Sequence, residues 1–509
     1  MTREKNPHKI ISIYSNTGGL NKSGYAINLA ASIAKVTEKK VALVSVGAIS
    51  EEDRNTLNLV GHADVGIDVV TLDSIKPKRL GEIGNKYKYV IVDLLLEESG
   101  LLYEIFAQTD VIHFFVDSVK ENLKKAHEFF DELLEKRLKE VHDKIEIVVN
   151  KLDVFDKLTV EDMSWLIKRD VGVVLSELSI LDVFVDAKGI PFVLRETDSD
   201  YSEKLFRIAK RETGRLLGLA LGSGAAFGLA HIGVLKVLEE NHITIDMLAG
   251  SSIGALFASA WGLGYSSKKI EQIAKKFKRR FNIVGLLDFT LPVSGILAGR
   301  RLKRFLKKVL REKKFEDLKT PVKIVVYDLA NREIIVKEKG SLVEAVYMSI
   351  AVPGIFEPKV EKDRVLIDGG VGDPVPVDIL LKAGAQKVIA VNVLPSPADI
   401  ARRNMILKKR REKEEELMSK GPFHLRCGIW LKNFFGKIFT PNIFDVIVTS
   451  MQSIEYMLAE DNCKKADIAL HPVFAGATSI DFYYVMEFIK KGEEEANFYI
   501  EDIKKLAFK

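Results

Sequence analysis

Gly250-Ser251-Ser252-Ile253-Gly254 is a G-x-S-x-G pentapeptide between an apolar run, Ile245–Ala249, and an apolar stretch, Ala255–Leu263. That context is what a nucleophile elbow needs: a strand, a sharp turn and a helix. Small residues flank the serine because no side chain fits beneath the bend. Ser252 Oγ is then presented above a sheet, placed to attack an acyl carbonyl. Upstream, Leu219–Leu221 runs into Gly222-Ser223-Gly224-Ala225-Ala226-Phe227-Gly228 and a second apolar helix, LAHIGVLKVLEE. The free N–H groups of that turn, Gly222 to Ala225, suit a developing oxyanion. Downstream, Val365–Ile367 ends in Asp368-Gly369-Gly370, an aspartate in a further glycine turn.

A serine nucleophile needs a base. Of the nine histidines only His424 and His471 follow Asp368, the order a Ser-Asp-His triad requires. His424 sits in a basic loop, and His471 precedes Pro472 with no motif around it. A Ser252–Asp368 dyad, with the carboxylate itself as general base, fits better. His231, in LAHIG, is expected to pack within its helix. In the expected reaction Asp368 takes the Ser252 proton as Oγ attacks an ester, and the turn holds the oxyanion. An acyl-enzyme forms, and water activated by Asp368 releases the acid. No metal and no cofactor is required for that hydrolysis.

A second glycine-containing turn lies near the start of the chain. Lys9–Tyr14 runs into Ser15-Asn16-Thr17-Gly18-Gly19-Leu20-Asn21-Lys22-Ser23, then GYAINLAASIAK. A strand-to-helix turn ending in Lys-Ser is how backbone N–H groups and an ammonium cradle phosphates. Gly18, Gly19, Lys22 and Ser23 are therefore candidate nucleotide-binding residues. Asn150-Lys151-Leu152-Asp153 matches the NKxD guanine-reading tetrapeptide, but four residues at a strand end read as a polar turn.

Holding these turns requires sheets with strands ending side by side. The chain has 509 residues, which allows roughly two to four domains. With 47% apolar and 29% charged residues it is neither wholly disordered nor fibrous. Lys9–Tyr14, Val41–Val46, Tyr89–Val92, Val111–Val116 and Ile145–Val149 read as buried parallel strands. Helix-length segments such as Gly24–Lys35 and Glu121–Val141 lie between them. A second series starts at Leu216 and continues through Ile245–Ala249, Val322–Asp328, Ile334–Lys337, Arg364–Asp368 and Lys387–Val393. The alternation predicts an α/β protein. The amphipathic stretch Tyr201–Thr213 joins the two series, so the expected domains are residues 1–213 and 214–509.

Four C-terminal blocks carry a resemblance: LALGSGAAFGLAHIGVL, DMLAGSSIGAL, SIAVPGIFEP and VLIDGGVGDPVP, in that order. Over roughly residues 215–500 the chain resembles the patatin-like phospholipases, particularly their bacterial cytoplasmic members. The resemblance implies a three-layer α/β/α domain with Ser252 as nucleophile and Asp368 as general base. It implies oxyanion donors from Gly222, Ser223, Gly224 and Ala225, with Gly228, Gly250, Gly254, Gly369 and Gly370 shaping elbow and turns. Fatty-acyl esters of phospholipids or lysophospholipids are the implied substrates. The family turn usually carries Arg or Lys before its last glycine, where this chain has Phe227.

Roughly residues 8–213 resemble the MinD/ParA branch of P-loop ATPases, whose turn reads like KGGxGK[ST]. The strand end VVNKLD and the closing helix FRIAKRETG also fit. By that resemblance Asp93 takes the place of a metal-water-holding aspartate, and ATP with magnesium is the expected ligand. The departures are specific. Asn16 and Asn21 replace two P-loop glycines, Thr17 replaces the signature lysine, and Ser45-Val46-Gly47 lacks the hydrolytic aspartates. The expected domain keeps a mainly parallel sheet flanked by helices and has lost turnover.

The net charge of +5 hides segregation. Lys268–Lys314 holds 16 Lys/Arg against three acids, a net +13 that leaves −8 elsewhere. Arg402–Lys413 adds seven basic residues against Glu412, and the following FHLRCGIWLKNFFGKIF has no acid. There Leu431, Phe434, Phe435 and Ile438 fall on one helical face, with Lys432 and Lys437 elsewhere. A basic amphipathic insertion around 399–440 is how a soluble enzyme lies on an anionic lipid surface.

The uncharged run Met247–Ser267 is of about membrane-spanning length, but it reads as a strand, a turn and a buried helix. No export signal precedes it, and two cysteines, Cys427 and Cys463, build no disulfide framework. The expectation is a cytoplasmic protein, peripheral on the inner face of the membrane. Its expected partners are a phospholipid or lysophospholipid, an anionic membrane, and a second copy through the N-terminal domain. No nucleic acid is expected. The rival reading is a nucleotide-binding, membrane-associated scaffold or regulator whose lipase domain is vestigial.

Overall fold

The computed structural model describes residues 8–17, 21–72, 78–96, 100–151, 158–175, 184–278, 288, 295–420 and 443–508. The chain divides into two compact units, Met1–Thr213 and Gly214–Lys509.

The first unit is built on seven strands: β1 (Lys9–Tyr14), β2 (Val41–Gly47), β3 (Ile67–Leu72), β4 (Tyr89–Leu95), β5 (Val111–Asp117), β6 (Ile145–Asn150) and β7 (Val173–Leu175). They lie in the order β3-β2-β4-β1-β5-β6-β7, and every pairing is parallel. Alternation along β1 feeds two layers. Ile11 and Ile13 pack with the helix Lys22–Thr37, while Ile10 and Tyr14 join Phe106, Phe114 and Phe129 on the other face. Burying each such side chain contributes roughly 1.5–3 kcal/mol. The expected helix Glu121–Val141 is two helices, Lys120–Glu135 and Lys139–His142. Arg137 takes a left-handed φ of 59°, and the Leu138 N–H closes back on the Leu133 carbonyl at 2.8 Å. That is a C-terminal cap, and it ends the first helix.

The second unit contains β8 (Leu217–Leu221), β9 (Met247–Ser251), β10 (Gly295–Leu297), β11 (Val322–Asp328), β12 (Glu333–Lys337), β13 (Gly354–Phe356), β14 (Lys359–Glu361), β15 (Arg364–Asp368), β16 (Lys387–Val391) and β17 (Ile468–Leu470). The main sheet runs β14-β15-β11-β9-β8-β16-β17, with β12 on β11. Its centre is parallel, and β12, β14 and β15 add antiparallel pairings at one edge. Helices flank it: Ala230–Glu240, Ile253–Gly262 and Val485–Phe498 share one core with β8, and Val377–Lys382 lies in the core of the opposite face. The expected strand Ile245–Ala249 begins two residues later, because Asp246 turns aside to accept the Leu217 N–H at 2.9 Å.

Register sets the site. Ser251 pairs with Val325 on β11, and Asp368 pairs with the next residue, Val326. The end of β9 and the end of β15 therefore arrive at the same level of the sheet. Arg402–Lys413 lies on the helix Pro397–Lys420. Leu431, Phe434, Phe435 and Ile438, with Lys432 and Lys437, fall outside the described residues, as do His424 and Cys427. Among the described residues no helix is long and apolar enough to cross a membrane.

Candidate functional site

Ser252 sits between β9 and the helix Ile253–Gly262 with φ 53° and ψ −123°, a strained conformation for a side-chain-bearing residue. The bend is tight enough to exclude any Cβ at its flanks. A Cβ on Gly250 would lie 2.6 Å from Ala255 backbone atoms, and one on Gly254 would lie 2.0 Å from the Leu221 carbonyl oxygen. The backbone N–H of Ser252 donates to Ser349 Oγ at 2.9 Å, and its hydroxyl donates to Asp368 Oδ2 at 2.6 Å.

Asp368 is 3% exposed and also accepts the Gly370 N–H at 2.7 Å on its other oxygen. Burial pushes its carboxyl well above the usual range, while Ser252 and Gly370 pull the other way. A buried carboxyl held above its usual range is suited to accept a proton. Gly369 passes so close to β11 that a Cβ would meet the Val325 carbonyl oxygen at 2.3 Å, which explains the glycine.

The upstream turn needs a correction. The Gly222 N–H is spent on the Val391 carbonyl at 3.0 Å, and the Ser223 N–H on the Pro374 carbonyl at 2.8 Å. Neither is available to an oxyanion. Gly224 (φ 154°) and Ala225 (φ 48°) line the same cavity as Ser252, and among the described residues no acceptor meets their N–H groups. Of the four expected donors, these two keep unspent N–H groups among the described residues.

His231 is fully buried, and its Nε2 donates to the Gly222 carbonyl at 2.8 Å. Burial drives its pKa down to about 4, so it is a neutral brace for the turn. Gly228 leaves room for Ile253, whose Cγ2 would stand 2.2 Å from a Cβ there. Phe227 is 2% exposed, packs edge-on to Phe488 at 5.9 Å, and does not line the cavity. Its side chain belongs to the core. His471 is exposed, with Nδ1 3.8 Å from Glu460.

Above Ser252 lies a cavity of about 430 Å³. Its walls are overwhelmingly apolar, with Leu256, Phe257, Leu302, Phe305, Ile355 and Phe482 among them, and Ser252 and Asp368 lie on its lining. A volume of that size suits a flexible hydrocarbon ligand. Two residues of this neighbourhood escaped the sequence reading. Ser349 lay inside a recognised block without an assigned role. Glu455 lines the cavity and accepts the Ser223 hydroxyl at 3.1 Å. Its signal was present: it is the one charged residue in the stretch Val446–Ala459.

In the first unit, Lys22 and Ser23 both engage Asp93: Lys22 Nζ pairs with Oδ1, and Ser23 Oγ donates to Oδ2 at 2.6 Å. Asn21 precedes them at φ 55° with no side-chain cap. Gly18 and Gly19 lie outside the described residues. As arranged, the three residues satisfy one another, and phosphate or magnesium would have to open the Lys22–Asp93 pair. Among the described residues His113, Glu146 and Glu212 have the spacing of a metal site. There Glu212 already pairs with Lys9 at 2.9 Å and Arg211 at 3.0 Å, and Arg211 also holds Glu146.

The site thus combines a serine at a strained strand–helix bend, a buried aspartate hydrogen-bonded to its hydroxyl, and an apolar cavity. Residues 219–381 match the family described as patatin-like phospholipase, and the second unit carries a domain of that family. Patatin-like phospholipase domain-containing protein 6 of Homo sapiens is 35% identical over 199 residues, covering 38% of this chain and 14% of that protein. Lysophospholipase NTE1 of Candida albicans is 29% identical over 211 residues, covering 40% of this chain and 15% of its own. The chain thus spans only about a seventh of the length of these curated relatives. The MinC:MinD cell division protein complex of Aquifex aeolicus superposes with a TM-score of 0.34 at 22% identity, over 40% of this chain and 96% of that one. The first unit's architecture rests on its own strand order.

Proposed function

We propose that the second unit is a serine acyl hydrolase that cleaves fatty-acyl esters of phospholipids or lysophospholipids at a membrane surface. The observation that carries this reading is the 2.6 Å hydrogen bond from Ser252 Oγ to Asp368 Oδ2. Asp368 accepts the hydroxyl proton as Oγ attacks the ester carbonyl. The N–H groups of Gly224 and Ala225 receive the oxyanion, and the apolar cavity holds the acyl chain. Asp368 returns its proton to the departing alcohol, then deprotonates the water that releases the fatty acid. Removing either side chain costs about a thousandfold or more in rate.

Support for a membrane surface comes from the helix Arg300–Leu310. Its inner residues Leu302, Phe305 and Val309 line the cavity, while Arg300, Arg301, Arg304, Lys307 and Lys308 are exposed. Ile480 also lines the cavity and is 75% exposed. Basic residues beside an apolar mouth suit an anionic lipid interface.

The test is a fluorophosphonate probe on the whole chain, followed by a lipid panel against a Ser252→Ala control. An unlabelled parent protein, or a labelled Ser252→Ala variant, defeats the hydrolase reading in favour of a scaffold with a vestigial lipase. For the first unit the proposed role is to regulate, localise or dimerise the second, with ATP and magnesium as its candidate ligand. Titration of ATP into parent and Lys22→Ala protein tests this. No binding at millimolar ATP leaves a scaffold role alone.

A further inference from the structure

Two carboxyls share the cavity: Asp368 on β15 and Glu455 on the helix Ile443–Cys463. The reaction described above uses only the first. Glu455 reaches the turn Gly222–Ala225 by accepting the Ser223 hydroxyl at 3.1 Å. Ser223 is itself packed against the turn after Asp368, since a Cβ on Gly370 would lie 2.8 Å from Ser223 Oγ and 3.1 Å from Asp368 Oδ1. The two acids thus flank one serine, next to the unspent N–H groups of Gly224 and Ala225.

We propose that Glu455 is a positioning residue that must keep its proton for the site to work: neutral, it anchors the oxyanion turn through Ser223, and ionised, it opposes the oxyanion. This rests on the hydrolase reading.

The order of ionisation follows from the donors. Asp368 accepts two hydrogen bonds, from Ser252 Oγ at 2.6 Å and Gly370 N at 2.7 Å, whereas Glu455 accepts one, at 3.1 Å. More donors favour the anion, so Asp368 gives up its proton first. Glu455 then faces a carboxylate across an apolar cavity. Burial, and then the Asp368 charge, hold its proton well above the usual carboxylate range.

Charged groups on the surrounding elements act mainly elsewhere. On the same helix Glu460 bonds Asn392, and Asp461 pairs with Lys464. Past β15, Asp373 is influenced by Asp378, Lys465 and Lys382, and Lys465 pairs with Asp378 at 2.5 Å. Among the described residues Asp368 is the charged group that acts on Glu455.

The rate of fluorophosphonate labelling of the whole chain, followed from about pH 5 to pH 10, tests this without an identified substrate. In the parent the rate rises as Asp368 ionises and falls about tenfold as Glu455 ionises. Glu455→Gln keeps the rise and loses the fall. Ser223→Ala removes a donor to the Glu455 anion and moves the fall to higher pH by about one unit. Labelling rates are normalised to the folded fraction measured at each pH, so a poorly folding variant stays readable, and the Ser223 variant decides if the other gives no protein. A parent with no fall, or a Glu455→Gln protein with the parent's fall, overturns the proposal alone. A parent that is not labelled, or a labelled Ser252→Ala protein, overturns the hydrolase reading and this proposal with it.

Discussion

Ser349 Oγ accepts the backbone N–H of Ser252 at 2.9 Å, so the amide at the strained bend is tied to the helix Leu342–Ile350. The nucleophile is therefore held from two sides, by Ser349 at its backbone and by Asp368 at its hydroxyl. Its own amide is no longer free for a substrate oxygen, so in the proposed reaction that task falls to Gly224 and Ala225.

Ser349→Ala leaves a buried N–H without an acceptor, a cost of about 1–3 kcal/mol. The expected result is a lower melting temperature together with slower fluorophosphonate labelling, because the bend relaxes and Oγ moves off Asp368. Thermal unfolding and labelling kinetics on one preparation check it. A variant matching the parent in both would show that Ser349 does not hold the bend.

Asp368→Asn should separate function from stability. Burial makes the folded state hold the Asp368 proton more tightly than the unfolded chain does. Between the ordinary carboxylate range and that raised value the native state binds more protons, so this carboxyl lowers stability as pH rises through the window. The asparagine variant should lose about a thousandfold in rate. It should melt higher than the parent at about pH 8, and this advantage should vanish near about pH 3, below both ionisations. Calorimetry at the two pH values reads the difference directly.

Gly254→Ala should be far more damaging than its size suggests. The new Cβ would stand 2.0 Å from the Leu221 carbonyl oxygen and 2.8 Å from that of Gly222, both backbone atoms of the site. A loss of about 3 kcal/mol or more is expected. Gly340→Ala is the natural comparison: it meets nothing within 4 Å and carries only the strain of φ +81°, about 1–2 kcal/mol. Denaturant midpoints of the two variants should differ accordingly.

Arg304→Glu combined with Lys308→Glu should weaken binding to phosphatidylglycerol vesicles by about tenfold or more, since each surface cation contributes about 1 kcal/mol. Added salt should shrink the difference. Co-sedimentation at two salt concentrations checks both statements. Binding that ignores the substitutions would remove this helix from the lipid surface.

Much of the site was readable because its backbone demands are severe. Glycines at 250, 254 and 369 stand where a Cβ meets backbone within 3 Å, and such positions leave a pattern in the sequence. The pairing of Ser252 with Asp368 was legible for the same reason. The oxyanion donors were not, because whether Gly222 and Ser223 keep free N–H groups depends on β16 and Pro374, remote in sequence. Phe227 looked like a lost cation at the site, yet its direction is set by Phe488 on a helix more than 250 residues later. Glu455 was overlooked because an acid on a helix reads as solvated unless the fold aims it inward. The expected single helix after Lys120 failed on one left-handed residue, Arg137, that no apolar periodicity reports.

The left-handed backbone at Ser252 also bears on how the chain could be stabilised. Glycine would adopt φ 53° with less strain, a neutral side chain would sit more easily at 368, and larger side chains would fill the cavity above them. Each of those exchanges is expected to stabilise the folded chain, so a selection for thermal stability alone would be drawn to these positions first.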